Sequence, residues 1–239
     1  MPASGWVRCL PVGVSMSGRQ SRDHPAGYEA WYHSPRGRWV AKREFDLLFR
    51  LLRPALGSRV LDVGCGTGHF TRRFAQAGLD LVGLDPDGDA LRYARSLDDS
   101  VAYVRGDART LPFPDGAFAN CIAITSLCFV ESPEVALAEM ARVAREGVAL
   151  GLLHRPSLLH WQKAGRGGYR GARWDRGVDL RRWFQALPGW RLTDLRWGLF
   201  CARGPRALRA GTERMLPDRL PLGAFMAAVG RPVSDGKAE

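Results

Sequence analysis

Lysine is almost missing from this chain. Lys42, Lys163 and Lys237 are the only three, although Lys and Arg together number 35. Arginine therefore carries nearly all the positive charge, and genome composition is one sufficient source of that bias. Cysteine is sparse and scattered. Cys9, Cys65, Cys121, Cys128 and Cys201 are odd in number and include no C-x-x-C pair. That excludes a disulfide framework and a zinc site, and it fits a reducing cytosol, so a cytoplasmic protein with no metal is expected. No stretch approaches the roughly 20 continuous apolar residues of a membrane span. Residues 1–15 are mildly apolar, but Arg8 interrupts them and no basic segment precedes them, which argues against a secretory signal. Internal repeats and low-complexity tracts are also lacking.

What is present is a globular composition: 239 residues, 46% of them hydrophobic, enough for one domain with a substantial core. Residues 1–27 read as a disordered leader, with Met16 an equally good start, because recognisable pattern begins near Tyr28. Residues 28–232 read as one domain, and 233–239 as a tail. The net charge of +11 is unevenly spread. Residues 1–154 hold 18 Lys/Arg against 17 Asp/Glu, or +1; residues 155–219 hold 15 against 5, or +10.

Hydrophobic spacing orders the chain. Phe45, Leu48, Phe49 and Leu52 share one face of a helical stretch over 28–53, ended by Pro54 and Gly57. Strands are predicted at 60–63, 81–84, 101–104, 119–125 and 148–153, with helices at 69–77, 89–96 and 134–145 between them. This alternation implies an α/β fold with a parallel sheet covered on both faces. Residues 155–178, rich in Gly and Arg, break the rhythm. A helix at 179–187 and a strand at 191–200 resume it. Residues 203–221 form a second Arg/Pro-rich insertion, and 223–230 a last strand.

The chemistry concentrates after the first strand. In VLDVGCGTGHF (Val60 to Phe70) a buried strand delivers the chain to Gly64, Gly66 and Gly68, and a helix follows. Glycines let backbone approach a ligand closely, and the helix start offers unpaired N–H groups; together they cradle a polar, partly anionic ligand. The order G-x-G-x-G, with Asp62 ahead of it, differs from the G-x-G-x-x-G of dinucleotide enzymes. No Walker lysine follows, which excludes a P-loop. Asp85 ends the next strand 21 residues after Gly64 (85 − 64), where an acid accepts hydrogen bonds from ribose hydroxyls.

The segment resembles the first motif of class I S-adenosylmethionine-dependent methyltransferases, and GDARTLPFPDGAF (Gly106 to Phe118) is similar to their adenine-binding segment. By that resemblance Asp107 and Ala108 meet the adenine, and Tyr28, Asp62, Gly64, Cys65, Gly66, Gly68, Asp85, Pro86 and Thr125 complete the cofactor site. YEAWYHSPRGRWV (Tyr28 to Val40), ALAEMARVAREG (Ala136 to Gly147) and LPLGAFMAAVGR (Leu220 to Arg231) extend the resemblance over most of the chain. It is nearest to the ubiquinone/menaquinone-biosynthesis-type group. It implies a Rossmann-like doubly wound seven-stranded sheet with the last strand antiparallel. The insertions at 155–178 and 203–221 would shape an acceptor pocket.

Departures fall on the substrate side and in turns: Phe118, Ala119, Asn120 for Phe-Asp, Leu127 to Pro133 with Glu131 where a His is common, and Arg145, Glu146, Gly147 for Pro-Gly-Gly. No catalytic residue is assigned. His33, Glu131, His154 and His160 are general-base candidates among which the sequence does not choose. The leading expectation is methyl transfer from S-adenosyl-L-methionine to a small molecule. The alternatives are an RNA or protein methyltransferase using the basic 155–219 region, with Trp161, Tyr169, Trp174 and Trp183 available for stacking, and a non-catalytic cofactor-binding scaffold.

Overall fold

The computed structural model describes residues 25–201 and 205–233. Most of the expected leader and tail lies outside the described residues, but Pro25–Gly27 are already helical.

The stretch read as one helix is two, α1 (Pro25–His33) and α2 (Pro35–Leu52). The break has a local cause. Ser34 precedes a proline and is held extended (φ −68°, ψ 153°), and its side chain accepts a hydrogen bond from Gly37 N at 3.0 Å. It is the N-cap of α2, with Pro35 at the first helical position. Apolar periodicity runs through such a break unchanged, so spacing alone does not reveal it.

Next come β1 (Arg59–Val63), α3 (His69–Gln76), β2 (Asp80–Asp85), α4 (Gly88–Leu97), β3 (Ala102–Arg105), β4 (Phe118–Ile124), α5 (Pro133–Val143) and β5 (Ala144–Leu153). These match the predicted elements, with ends moved by a few residues. The two insertions contain helices that composition concealed. Residues 155–178 carry α6 (Leu158–Lys163) and a 3-10 turn at Gly167–Tyr169, followed by α7 (Gly177–Gln185). After β6 (Trp190–Gly198), α8 (Arg206–Met215) precedes β7 (Phe225–Pro232).

The seven strands form one sheet in the order β3-β2-β1-β4-β5-β7-β6, with β7 antiparallel to both neighbours. β4 is buried along its whole length, as a central strand covered on both faces must be. One face packs on α1 to α4 through residues such as Leu48, Phe74 and Leu91, the other on α5 and α7 through Leu137, Met140 and Phe184. Strand order reverses between β1 and β4, so the crevice for a ligand lies outside their carboxyl ends.

Close packing on the sheet depends on bare backbone. A Cβ at Gly230 would fall 2.0 Å from Phe184 Cε1. Gly230→Ala should therefore cost about 1–3 kcal/mol by overpacking, read as a lower urea midpoint with an unchanged slope.

Candidate active site

The loop from β1 to α3 turns with Gly64, Gly66 and Gly68 at φ of +75°, +55° and +74°. Their neighbours differ. A Cβ at Gly64 would meet Ser126 Cβ at 2.3 Å, and one at Gly68 would meet the Tyr103 hydroxyl at 2.3 Å. At Gly66 nothing lies within 4 Å. The loop is thus pinned against the β4 loop and β3 at its ends and open in its middle. Gly64 N and Cys65 N both donate to Leu84 O, at 2.7 and 3.0 Å, fixing the loop to the end of β2.

Asp85, at that end, accepts from Gly66 N and Asp87 N, each at 2.8 Å. These two bonds tie the carboxylate to the glycine loop and to the turn after β2. Pro86 follows, its carbonyl accepting from Arg105 Nε at 3.1 Å. Asp62 lies behind the loop rather than in it. It is buried and accepts from Thr71 Oγ1 at 2.7 Å; burial pushes its carboxyl up to about 7, the Thr71 bond opposes this, and the nearby Asp85 charge adds to it. Asp107 is half exposed and paired two-pronged with Arg109, which holds its carboxyl below the ordinary range; Ala108 beside it is buried. Thr125 ends β4 in a left-handed conformation, φ 51°, and its carbonyl accepts from Cys128 Sγ.

Sequence reasoning missed the residue that joins α1 to this loop. Glu29 is 4% exposed. It accepts from Thr67 Oγ1 at 2.8 Å and Arg72 Nη2 at 2.7 Å, and lies 3.1 Å from His69 Nδ1. Burial alone would raise its carboxyl, but the bonds from His69 and Thr67 and the Arg72 charge outweigh burial and hold it below the ordinary value. Tyr32 stacks on His69 with ring centroids 3.8 Å apart, so α1 lies against the start of α3. An acid on the buried side of a short helix was the one available signal.

The general-base candidates are dispersed. His33 is exposed at the end of α1 and Glu131 is exposed after β4. His154 is buried, its Nδ1 2.9 Å from Gly223 O, and burial holds it neutral. His160 lies on α6 against Trp174. Part of the basic block is committed inside the fold. Arg173 bonds the carbonyls of Leu127 and Val130 and the Asp175 carboxylate, tying the first insertion to the β4 loop. Arg209 lies over the Trp39 ring, while Arg43–Glu213 and Arg50–Asp218 pairs strap α8 and the residues after it to α2. A separate cleft of about 300 Å³, floored by Leu47, Leu199 and Phe225, lies at that junction. Among the described residues no cluster of His, Cys, Asp or Glu could hold a metal, and no helix is long and apolar enough to cross a membrane.

The methyltransferase-domain family matches residues 61–151, the segment that builds this loop and the strands around it. The chain carries a class I methyltransferase domain. It is 31% identical over 167 residues to a malonyl-acyl-carrier-protein O-methyltransferase of Erwinia pyrifoliae, covering 67% of this chain and 62% of that one. It is 37% identical over 102 residues to the Pectobacterium atrosepticum protein of the same name, covering 43% and 40%. A demethylmenaquinone methyltransferase of Renibacterium salmoninarum is 41% identical over 91 residues, 38% of each chain. The matches therefore span about 40% to 62% of the first two relatives. In fold, the methyltransferase resembles an S-adenosylmethionine-dependent methyltransferase of Thermotoga maritima (TM-score 0.67, 22% identity, 87% of this chain and 96% of that one). The cyclase SpnF shares the fold too (TM-score 0.60, 23% identity, 81% and 82%).

Glu29→Ala should cost about 3 kcal/mol at neutral pH, because the largely buried Arg72 loses its carboxylate partner and keeps a carbonyl. The folded carboxyl titrates below the unfolded one, so this stabilisation is present above the ordinary carboxylate range and fades as pH falls through the lowered folded value. Urea unfolding of both proteins from pH 7 down to about 3 checks this: the gap between them should narrow on the acid side.

Proposed function

We propose that this methyltransferase moves the methyl group of S-adenosylmethionine to a small-molecule acceptor by in-line displacement. The observation that carries the reading is the open middle of the glycine loop at Gly66, anchored by Asp85 on the same edge as Asp107 and Ala108. These residues fit the donor's parts. The loop and the first N–H groups of α3 suit its carboxylate, Asp85 suits the ribose, and Asp107 with Ala108 suits the adenine. Tyr28 and Thr125 border the site from α1 and the end of β4.

When bound, the donor supplies a methyl group already electrophilic on a sulfonium, so the protein's work is positioning and water exclusion. Glu29 holds α1 against the loop, and Arg173 holds the first insertion against the β4 loop. Residues 155–178 and 203–221 then serve as a cap on one domain spanning 28–232. One relative's name, with demethylmenaquinone as acceptor, supports a small molecule, while another names a malonyl group carried by acyl carrier protein. The free cysteines Cys65, Cys121, Cys128 and Cys201 suit a reducing, cytoplasmic setting.

Calorimetric titration with S-adenosylmethionine, S-adenosylhomocysteine and NAD tests the reading. Binding of both adenosyl ligands and not NAD is expected; binding of NAD alone overturns it. Gly66→Val should abolish donor binding by filling the cradle. Asp85→Ala should weaken it by about 1–3 kcal/mol through lost charge-assisted hydrogen bonds.

A further inference from the structure

The inward stripe of α2 consists of Val40, Ala41, Leu47, Leu48, Leu51 and Leu52, with one acid among them, Glu44, 7% exposed. No hydrogen bond or ion pair reaches its carboxyl from the described residues. Its position along the sheet follows from packing. Leu52 lies over Gly147 and Leu48 over Gly151, so α2 runs antiparallel to β5. One turn back along α2, Glu44 lies beyond Gly151 toward the carboxyl end of β5. That is the edge on which the glycine loop opens.

Its surroundings are aromatic. Tyr28 and Tyr32 of α1 are within electrostatic reach of Glu44, and their hydroxyls lie 3.0 Å apart in a hydrogen bond. Cys128 is within electrostatic reach of Tyr28 as well. Trp174 Nε1, in the first insertion, is also buried without a hydrogen-bond partner. Buried polar groups normally find partners, so an unpartnered acid beside two tyrosines at the carboxyl edge of the sheet points to a polar ligand.

We propose that Glu44 takes the proton of a hydroxyl-bearing acceptor held beside Tyr28 and Tyr32. The proposal rests on the methyl-transfer reading above. The acceptor O–H gives its proton to the Glu44 carboxylate while its oxygen bonds the methyl carbon. The carbon–sulfur bond breaks with its electron pair left on sulfur, and Glu44 later releases the proton to water.

The neighbouring groups give this role a pH signature. Burial holds Glu44 up at about 8, so it becomes the carboxylate as pH rises through that value. Tyr28 and Cys128 are both pushed up to about 12 by burial, Tyr32 is raised as well, and all three stay neutral there. Glu29 stays charged with Arg72, Arg43 pairs with Glu213, and Asp175 pairs with Arg173. His154 is held neutral. His160 and Tyr169 of the first insertion lie against Trp174, and comparison with a Glu44 variant isolates the part of the profile owed to Glu44.

Three measurements on wild type, Glu44→Gln and Glu44→Asp decide the matter. Calorimetry with S-adenosylhomocysteine should give all three affinities within about twofold. Labelled methyl transfer to catechol, from about pH 6 to 9, should rise with pH toward 8 in wild type. Glu44→Gln should lower it roughly 100-fold or more and flatten the rise, and Glu44→Asp should restore part of both. Infrared difference spectra should show a protonated-carboxyl band that titrates near 8, shifts on adding catechol and is missing in Glu44→Gln. A Glu44→Gln protein with the wild-type rate and pH profile overturns the proposal, as does a carboxyl band indifferent to catechol. Wild type that binds donor but transfers nothing to catechol overturns the hydroxyl assignment. Wild type that binds no donor sinks the methyl-transfer reading instead.

Discussion

Between β1 and α3 the backbone turns with three left-handed residues in five, and side chains from two other strands or their loops close on it. Ser126 occupies the space a Cβ would need at Gly64, and Tyr103 the space at Gly68. Only the middle glycine faces open space. A loop held at both ends and bare at its centre is already shaped for a ligand, so binding spends little on ordering it. The Glu29 contacts extend the same constraint to α1. One carboxylate reaches Thr67 in the loop and His69 and Arg72 on α3, so the loop and the helix beside it are fixed together.

The sheet from 60 to 153 was legible because its strands are short apolar runs, the first two ended by Gly64 and Asp85, and each helix carries a clear inward stripe. The insertions were not. In α8 the only buried residue whose side chain is described is Arg209, which lies over Trp39, so there is no apolar face to count. The break at Ser34 was hidden for the opposite reason, since the apolar pattern continues across it. Within the site, glycines and strand-end acids announce themselves by spacing. Glu29 and Glu44 do not, because an acid on a helix reads as solvent-facing until the packing partner is known.

Charge in the +10 block is divided between surface and interior. Arg155, Arg166, Arg181, Arg182 and Arg191 are exposed, whereas Arg173, Arg196 and Arg209 are engaged inside the fold, and Arg43 and Arg50 of α2 pair with acids in or beside α8. These contacts hold the insertions to the sheet's covering helices. They pack the insertions onto the rest of the fold, which is what the proposed cap needs. The fold itself leaves the reaction open, since the cyclase SpnF has the same architecture at TM-score 0.60. Function must be argued from side chains at the carboxyl edge.

Those side chains work against stability in one direction. Burial lifts Glu44 to about 8 and Asp62 to about 7. Each therefore binds its proton more tightly folded than unfolded, and stability falls as pH rises from the ordinary carboxylate range through those values. Glu29 has the reverse sign, its stabilisation fading only on the acid side. At neutral pH the first two acids are a cost. Asp62 has Thr71 as a partner and a place behind the loop, whereas Glu44 sits among leucines with no partner among the described residues. A leucine at 44 would continue the stripe and remove that cost. A perturbed acid at the ligand edge of the sheet, where packing alone would favour a hydrocarbon, fits the proton-accepting role proposed for it.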